Sequence, residues 1–299
     1  MCAMVIDTAA HFSVKGVCFG MYIIGIIAAI FVLMKVVALI RSEKQNINDD
    51  NPYLHPDKAD VLPEYMRPYI DKMPTNEGLQ HNAYERFIKP LGDVILSFCG
   101  LVILSPVFLI LSLAVVIDDP GPVFFTQKRV GKNKTFFALH KFRSMKMSTP
   151  HDMPTHMLAN PDQYITKVGK FLRRTSLDEL PQIWDIFRGK MSIIGPRPAL
   201  WNQADLVAER EKYCANDAIP GLTGLAQITG RDELEIDTKA MRDGQYVTLL
   251  HKSGWTGFVA DIKIFFGTVF SVLKEEGVVE GGTGQIVKMM EEADKTNAQ

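Results

Sequence analysis

The most prominent feature of the hydrophobic pattern is an apolar run near the N-terminus, "VCFGMYIIGIIAAIFVLMKVVALI", from Val17 to Ile40. Lys35, near the end of the run, is its only charge, and the run exceeds the ~20 apolar residues that a helix needs to cross a bilayer core. A secretory signal peptide has a shorter apolar region and a small-residue cleavage site after it, and this run has neither. The pattern therefore predicts a retained transmembrane anchor.

The charges that flank this run predict its orientation. Lys15 stands alone before it, whereas Arg41 and Lys44 follow at once. Because cytoplasmic loops carry the excess of lysine and arginine, we expect the N-terminus outside the cytoplasm and the rest of the chain inside. Residues 41–83 then form a cytoplasmic linker in which prolines block long helices, with short helical turns near Glu64 to Asp71.

A second apolar run extends from Leu91 to Ile117 and has Asp93, near its start, as its only charge. By length it could span a bilayer, at 1.5 Å of rise for each helical residue. Ser105-Pro106 lies near its middle, where the proline removes a backbone donor and favours a kink, and the serine hydroxyl can bond a freed carbonyl. The residues alone leave two topologies open, a re-entrant helix–break–helix and a kinked spanning helix.

A polar and β-rich stretch follows the second run. The segments Val123 to Thr126 and Thr135 to Leu139, separated by "GKNK", predict a β-hairpin. Cations are concentrated here and suit phosphates or anionic headgroups, although a solvated basic face is the usual use of any single one. They are Lys128, Arg129, Lys132, Lys134, His140, Lys141 and Arg143.

The stretch "TSLDELPQIWDIFRGKMSIIGPRP" places two adjacent acids, Asp178 and Glu179, before a helical pattern. Ser176 and Glu179 have the spacing of a capping box, which predicts the acids in the first turn of a helix, where the helix dipole favours the ionised form. Helix capping alone would also explain such acids. The apolar positions at helical spacing are predicted to face a core; they are Leu180, Ile183, Trp184 and Phe187.

Arginines on both sides of the acids favour a functional reading of the pair. Arg173 and Arg174 precede them, and Arg197 follows in "GPRP", between two rigid prolines. Cations that converge on a carboxylate pair suit a phosphorylated substrate with a divalent ion, and arginine matches phosphate through its planar set of donors.

Two further segments complete the pattern. "PGLTGLAQITGR" predicts tight turns and close backbone approach at its glycines but has no nucleotide-binding glycine motif, and it ends at Arg231. A last helix is predicted in "WTGFVADIKIFFGTVFSVLKEEG", with an apolar face that suits either a core or a bilayer surface. The residues on that face are Phe258, Ile262, Phe265, Phe266 and Val269.

Composition narrows the class. The 299 residues carry a formal net charge of -1, which argues against a dedicated nucleic-acid-binding protein. The cysteines form no C-x-x-C pair, so we expect neither a disulfide framework nor a zinc site, and a reducing compartment fits better. They are Cys2, Cys18, Cys99 and Cys214.

Several motifs in order resemble one family over about Tyr84 to Gly277. They are the Ser-Pro of the second apolar run, "GPVFFTQKRVG", "KFRSM", "TSLDELPQIWDIFRGKMSIIGPRP" and "PGLTGLAQITGR". Together they resemble the bacterial sugar transferases, which are monotopic polyprenyl-phosphate phosphoglycosyl transferases. One departure is Lys89-Pro90, where the family often has a Lys-Arg pair before the membrane segment.

The resemblance implies transfer of a sugar-1-phosphate from a nucleoside diphosphate sugar, usually a UDP-sugar, to polyprenyl phosphate, with release of UMP. It implies a Mg²⁺ cofactor held by Asp178 and Glu179, and a covalent phospho-sugar on Asp178. The family's basic residues correspond to Lys141, Arg173, Arg197 and Arg231, and Arg143 is a further candidate for phosphate binding. The Ser105-Pro106 pair matches the family's membrane break, which favours the re-entrant topology.

The predicted fold class is mixed α/β, mostly helical and membrane-associated, with a compact cytoplasmic catalytic domain that contains a short β-hairpin. Residues 1–40 form the N-terminal segment and anchor, 41–83 the linker, 84–277 the transferase domain with its re-entrant helix at 91–117, and 278–299 a polar tail. The expected location is the bacterial inner membrane, with the catalytic domain on the cytoplasmic face. A homo-oligomer is left open.

Two other functions compete with this one. A non-catalytic membrane scaffold for glycan assembly would keep the fold, although the retained Asp178-Glu179 pair argues against it. A metal-dependent phosphohydrolase would use the same charges without a lipid acceptor.

Overall fold

A computed structural model describes residues 45–73, 81–149, 163–230 and 234–273. Contacts divide the chain into two units, 1–45 and 46–299, and the architecture below is that of the second. The predicted anchor at Val17 to Ile40, the tail at 278–299 and the candidate Arg231 lie outside the described residues.

Helices make up most of the described part, as predicted. In chain order the α-helices are α1 (Arg67–Asp71), α2 (Lys89–Ile103), α3 (Ser105–Asp118), α4 (Lys167–Arg174), α5 (Gln182–Phe187), α6 (Ala204–Glu211), α7 (Leu225–Thr229), α8 (Ile236–Lys252) and α9 (Gly254–Leu273). A π-helical turn, Tyr84–Ile88, leads into α2, and 3₁₀ turns include Glu64–Met66, Lys132–Lys134, Leu177–Glu179 and Ala215–Asp217.

Two small sheets complete the fold. Strands β1 (Phe124–Val130) and β2 (Phe136–Phe142) pair antiparallel, with Phe124 opposite Phe142, which confirms the predicted hairpin. Strands β3 (Ser192–Ile194) and β4 (Gly221–Thr223) pair in parallel and were not predicted. Three-residue strands are too short to show the period-2 alternation from which a strand is read.

The second apolar run is broken where the sequence predicts. Within the described residues no single helix is long and apolar enough to cross a membrane, but the Tyr84–Ile103 and Ser105–Asp118 helices pass that test together, with a bend of 62° between them. Pro106 lies in the first turn of α3, where a missing N–H is tolerated. The Ser105 hydroxyl donates to the Val102 carbonyl at 2.8 Å, so it satisfies part of the interrupted backbone.

Both halves of this bent pair contact the same domain. Asp93 in α2 is buried and accepts a hydrogen bond from the Ile193 backbone N–H at 3.1 Å. Leu111 and Val115 in α3 pack with Phe142 of β2. The outward residues of the pair are apolar and exposed, with Ile103 73% and Ile117 81% exposed. A large apolar surface of this kind marks an interaction site rather than an ordinary protein surface.

The described part of the predicted linker packs onto the domain. Tyr53, Leu62 and Ile70 are buried in one cluster with residues of α6 and the β-hairpin. The Asn51 side-chain amide donates to the Lys134 carbonyl at 2.8 Å. Helical turns occur at Glu64–Met66 and in α1, as predicted. The segment is therefore part of the folded unit.

Helix α9 carries an exposed apolar stripe as well. Each predicted member of its apolar face is at least 39% exposed, and Trp255 and Phe270 extend the stripe; the five predicted members are Phe258, Ile262, Phe265, Phe266 and Val269. On the opposite side, Ala260 and Ile264 are buried. The stripe therefore does not face the core of the described domain, which was one of the two uses that the sequence left open.

Candidate active site

The adjacent acids lie in a tight turn rather than in an α-helix. The 3₁₀ turn Leu177–Glu179 holds them, and α5 begins only at Gln182. The capping-box prediction is wrong, because Ser176 adopts a left-handed conformation (φ 55°) and its side chain caps nothing. The turn is closed through the Ser176 carbonyl, which accepts from the Glu179 N–H at 3.2 Å.

Glu179 joins the two cations that come from distant parts of the chain. Its Oε1 accepts from Lys141 Nζ at 2.9 Å and from Arg197 Nη2 at 2.5 Å, and its Oε2 accepts from Arg197 Nη1 at 3.3 Å. The arginine therefore binds with both terminal nitrogens, the geometry in which a guanidinium holds a carboxylate most strongly. Burial opposes ionisation of Glu179, but Arg197 and Lys141 outweigh it and hold the pKa of this carboxyl well below its usual range.

Asp178 has a different environment one residue away. Its Oδ2 lies 4.0 Å from Lys141 Nζ, which is longer than a hydrogen bond, and its side chain is 14% exposed. Burial raises the pKa of Asp178 above its ordinary value, and the neighbouring Glu179 charge adds to that rise, while Lys141, Arg173 and Arg197 oppose it. Burial, rather than the predicted helix dipole, therefore dominates the pKa of Asp178.

The structure thus separates the two carboxylates by role. Glu179 is an ionised acceptor that binds Lys141 and Arg197, whereas Asp178 is a more basic carboxylate beside the same cations. Two titratable groups with pKa values pushed apart are typical of catalytic sites. A more basic carboxylate is also the better nucleophile of the two.

Buried partners position Arg197. Its backbone carbonyl accepts from Arg210 Nη2 at 2.9 Å, and Arg210 is held in turn by the buried Asp243, with Nη2 at 2.6 Å from Oδ2. The loop just before Arg197 lies against the small parallel sheet, where the backbones of Gly195 and Gly221 are in close contact. A Cβ on Gly221 would collide with the Gly195 backbone there. The glycines predicted to serve close backbone approach include Gly221, and this contact shows that use.

A second buried pair supports Lys141. The neighbouring residue in β2, His140, contacts Asp185 of α5 through both its backbone N–H, at 2.8 Å, and its ring Nδ1, at 2.7 Å. Asp185 is fully buried, and the hydrogen bond to it raises the pKa of His140. This pair joins the strand that carries Lys141 to the helix that follows the acids. The sequence pattern does not reveal this partner of His140.

The three other predicted phosphate-binding residues, Arg173, Arg143 and Arg231, each have a different outcome. Arg173 lies close enough to Asp178 to lower its pKa, and its Nε donates to the Ser144 hydroxyl at 2.9 Å. Arg143 is buried, and its guanidinium pairs with Asp119, at 2.9 Å between Nη1 and Oδ2. Its contacts therefore do not include the Asp178-Glu179 pair. Arg231 lies outside the described residues.

The core-facing prediction for α5 is only partly right. Phe187 is buried and Ile183 half-buried, but Trp184 is 37% exposed and packs its ring on Phe187, with centroids 5.7 Å apart. The most buried apolar side chain of the helix is Ile186, which the spacing did not select. A helix of six residues packed between α2 and β2 buries more than one stripe, so a single 3.6-residue face does not describe it.

The donor chemistry of the acids is compatible with Mg²⁺, the cofactor that the resemblance implies. This ion prefers oxygen ligands and is commonly held by one or two carboxylates together with substrate phosphates. Asp178 has the longer contact with its cation, whereas Glu179 already accepts from Lys141 and Arg197. The pair therefore fits the ion best with Asp178 as ligand and with Glu179 exchanging one of its partners.

Comparison with known proteins finds one matching family and several named relatives. The profile of the family described as bacterial sugar transferase matches residues 84–275. The chain is 36% identical over 212 residues to the undecaprenyl-phosphate galactose phosphotransferase of Salmonella typhimurium, which covers 64% of this chain and 42% of that protein. It is 40% identical over 192 residues to the UDP-glucose:undecaprenyl-phosphate glucose-1-phosphate transferase of Klebsiella pneumoniae, covering 63% and 41%.

A shorter relative matches over nearly its whole length. The exopolysaccharide production protein ExoY of Rhizobium meliloti is 34% identical over 211 residues, which cover 64% of this chain and 90% of that protein. The chain spans less than half the length of the Salmonella and Klebsiella relatives. The described domain combines a carboxylate–cation site with an apolar helix pair. The chain belongs to the bacterial sugar transferase family.

Proposed function

We propose that this protein transfers a sugar-1-phosphate from a UDP-sugar to a polyprenyl phosphate and releases UMP, as the first membrane step of surface glycan or exopolysaccharide synthesis. The observation that carries the proposal is the division of labour in the Asp178-Glu179 pair. Glu179 binds two cations at once, and Asp178 lies beside them with a raised pKa. The relatives named for transfer of glucose-1-phosphate or galactose to undecaprenyl phosphate support the substrate classes.

The chemistry proceeds in two displacements at phosphorus. An ionised oxygen of Asp178 attacks the phosphorus that carries the sugar, the bond from that phosphorus to the UMP oxygen breaks, and UMP leaves with the electron pair. The product is a sugar-phosphate joined to Asp178 as an acyl phosphate. A phosphate oxygen of the polyprenyl acceptor then attacks the same phosphorus and frees the aspartate.

The cations around the pair suit this sequence. Buried acids hold the backbone next to both cations, because Asp185 binds His140 beside Lys141 and the Arg210–Asp243 pair binds the Arg197 carbonyl. We expect this support to preorganise Lys141 and Arg197 where phosphate charge develops. Phosphate oxygens compete with Glu179 for the same donors, and Arg197 presents a planar fork that matches them. Arg173, near enough to influence Asp178, extends the positive field.

Mg²⁺ would be held by Asp178 and Glu179 with the substrate phosphates. Its chemistry is charge neutralisation of the diphosphate. The role of the chain's own residues remains to bind the phosphates, orient the donor and supply the carboxylate.

We further propose that the helix pair α2–α3 enters the membrane and returns on the same side. Asp93 binds the β3 backbone while Leu111 and Val115 pack on β2, and one folded domain can receive both only from one side of a bilayer. The exposed stripe of α9 suits the same interface. The domain then lies on the cytoplasmic face of the bacterial inner membrane, where nucleotide sugars are made.

The test is a transfer assay with purified full-length protein in detergent, undecaprenyl phosphate and a panel of radiolabelled UDP-sugars. We expect one UDP-sugar to give a labelled lipid and an equal amount of UMP, dependent on added Mg²⁺ and abolished by EDTA. The Asp178→Asn variant serves as the background control.

The same assay separates the two competing functions. A scaffold would give neither UMP nor labelled lipid with any donor. A phosphohydrolase would release UMP at the same rate whether or not the lipid acceptor is present.

A further inference from the structure

A cluster of three potential metal ligands lies at the junction between the start of the transferase domain and the end of α8. His81 lies just before the π-helical turn, Glu85 lies within it, and His251 comes from the last turn of α8. Their ligand atoms all lie within 4.8 Å of one another. Glu85 and His251 are deeply buried, each with a side chain 7% exposed, and His81 is 35% exposed.

The tautomer of His251 turns its free lone pair toward this cluster. Its Nδ1 lies 2.8 Å from the Val247 carbonyl, and a carbonyl can only accept, so Nδ1 carries the hydrogen. In the neutral ring the Nε2 atom is then an acceptor, and it lies 3.0 Å from Glu85 Oε2 and 3.3 Å from His81 Nδ1. A backbone carbonyl that holds the outer ring nitrogen is the arrangement found behind most metal-binding histidines.

Glu85 presents a matching acceptor. Its Oε2 is buried without a hydrogen-bond partner, although it lies 3.0 Å from His251 Nε2. Its Oε1 lies 2.7 Å from His81 Nδ1, and the two imidazole nitrogens are 3.3 Å apart. Two lone pairs that face each other in a buried place are unfavourable unless a proton or a cation lies between them.

We propose that His81, Glu85 and His251 bind a divalent transition metal, with Zn²⁺ as the best match. Two imidazole nitrogens and one carboxylate oxygen are a set that Zn²⁺ accepts and Mg²⁺ does not favour. A tetrahedral Zn²⁺ with bonds of 2.0–2.1 Å needs ligand atoms about 3.3 Å apart. The two imidazole nitrogens are 3.3 Å apart and already match this separation. The Glu85 carboxylate faces them with different oxygens, Oε1 at 2.7 Å from His81 Nδ1 and Oε2 at 3.0 Å from His251 Nε2, so it has to turn to present one oxygen to the ion. A shared proton joins two of the three atoms, whereas a metal uses all three.

The place of the cluster in the fold indicates what the metal does. The adjacent Asn82 side chain donates to the Leu250 carbonyl at 2.7 Å, so the same two segments already meet there. The π-helical turn continues directly into α2, the first half of the apolar helix pair. A metal would therefore link the turn that precedes this helix pair to the end of α8. The sequence expectation of no zinc site was based on cysteine spacing, which cannot detect a histidine–carboxylate set.

The experiment uses untagged full-length protein in detergent, stripped with EDTA, desalted and dialysed against micromolar Zn²⁺ with millimolar Mg²⁺ to occupy the active-site carboxylates. Bound metal is counted by mass spectrometry. We expect one Zn²⁺ per chain in the wild type, and binding weakened at least about tenfold in His81→Ala and His251→Ala. His55→Ala, which removes an exposed histidine outside the cluster, should bind like the wild type.

Two further readouts protect the result against a folding artefact. Zn²⁺ should raise the thermal midpoint of the wild type and of His55→Ala but not that of His81→Ala, whose altered side chain is the most exposed of the three. Co²⁺ in place of Zn²⁺ should give the visible absorption of a four-coordinate ion that disappears in His81→Ala. The proposal is overturned if the wild type retains no metal, or if His81→Ala and His251→Ala retain as much as the wild type.

Discussion

At the residue scale, the opposite environments of Asp178 and Glu179 predict opposite effects on stability. Asp178 has a raised pKa in the folded state, so its ionised form costs stability at neutral pH, and Asp178→Asn removes that cost. Glu179 has a lowered pKa, so it contributes stability above its unfolded pKa that is lost as the pH falls through the folded value.

Asp178→Asn is therefore expected to lose transfer by about 10³-fold or more while its thermal midpoint stays level or rises by about 1–3 °C. Glu179→Gln is expected to lose about 10²-fold in rate and about 1.5–3 kcal/mol of stability, because it leaves Lys141 and Arg197 without their acceptor. Paired thermal melts and transfer assays on the two variants measure this. Equal destabilisation by both would show that the two carboxylates do not differ as described.

The raised pKa of Asp178 also predicts a pH dependence. Attack requires the ionised carboxylate. The rate of the UMP burst formed without lipid acceptor should therefore fall as the pH falls, and the midpoint of this pH profile should lie above the ordinary aspartate pKa of 3.8. Omitting the acceptor matters, because a phosphate monoester titrates near pH 6. A burst that stays constant down to pH 4 would contradict this assignment.

Part of this site could be predicted from residues and part could not. Arg197 stands in the same sequence motif as the acids, so its approach to them could be predicted, whereas Lys141 lies 38 residues from Glu179 and was assigned to the site only through the family resemblance. The buried acids that support these two cations could not be predicted, because Asp243 reaches Arg210 and Asp185 reaches His140 only through tertiary packing. Arg143 stands close to Lys141 along the chain, yet the fold pairs it with Asp119. Neighbouring cations in sequence thus carry no information about which of them share a site.

At the element scale, the close contact between Gly221 and Gly195 makes a sharp prediction about the small parallel sheet. A methyl group on Gly221 would meet backbone atoms, which cannot turn aside as a side chain can. Gly221→Ala should lower stability by about 1–3 kcal/mol or more and reduce transfer with it, because the loop that carries Arg197 starts at this contact. Thermal melts of the purified variant measure the loss.

Gly92→Ala is the matched control for that change. No atom lies within 4 Å of a Cβ at this position in α2, and alanine favours a helix over glycine. It should therefore behave like the wild type or slightly better. A Gly221→Ala protein as stable and active as Gly92→Ala would show that the contact is not as tight as described.

The bent helix pair gives the second prediction at this scale. Single cysteines at Ala83 and Thr126, both exposed and on either side of the pair, are introduced into a protein without its native cysteines. A re-entrant pair leaves both on one side of the membrane, so a membrane-impermeant thiol reagent should label both in inside-out vesicles and neither in intact cells. Labelling from opposite sides would show a kinked spanning helix instead.

The elements themselves were predicted where the signal was local. The hairpin β1–β2 follows from two β-rich segments around a turn, and the break at Ser105-Pro106 follows from proline chemistry. The outward turn of Trp184 and the left-handed Ser176 were missed, because helical spacing assumes one buried face and one regular helix start. Residue spacing therefore does not predict the structure of the 3₁₀ turn that carries the acids or of the short helix that follows it.

At the scale of the whole molecule, the described domain brings together three features that the proposed reaction would use. The α2–α3 pair and α9 expose apolar faces, Lys141 and Arg197 bind Glu179, and Asp178 lies beside them. The segment at 45–73, which packs on the domain, joins this unit to the chain that precedes it. In the proposed reaction, this arrangement would let a lipid phosphate and a nucleotide sugar meet at one carboxylate.

The covalent intermediate on Asp178 is the central claim, and one measurement tests it most directly. Full-length protein is incubated with its UDP-sugar and Mg²⁺ without lipid acceptor, quenched, digested and analysed by mass spectrometry. The peptide that contains Asp178 should gain the mass of one phospho-sugar, the gain should vanish when polyprenyl phosphate is added, and Asp178→Asn should show none. An adduct on another residue, or transfer by Asp178→Asn at close to the wild-type rate, would contradict the account.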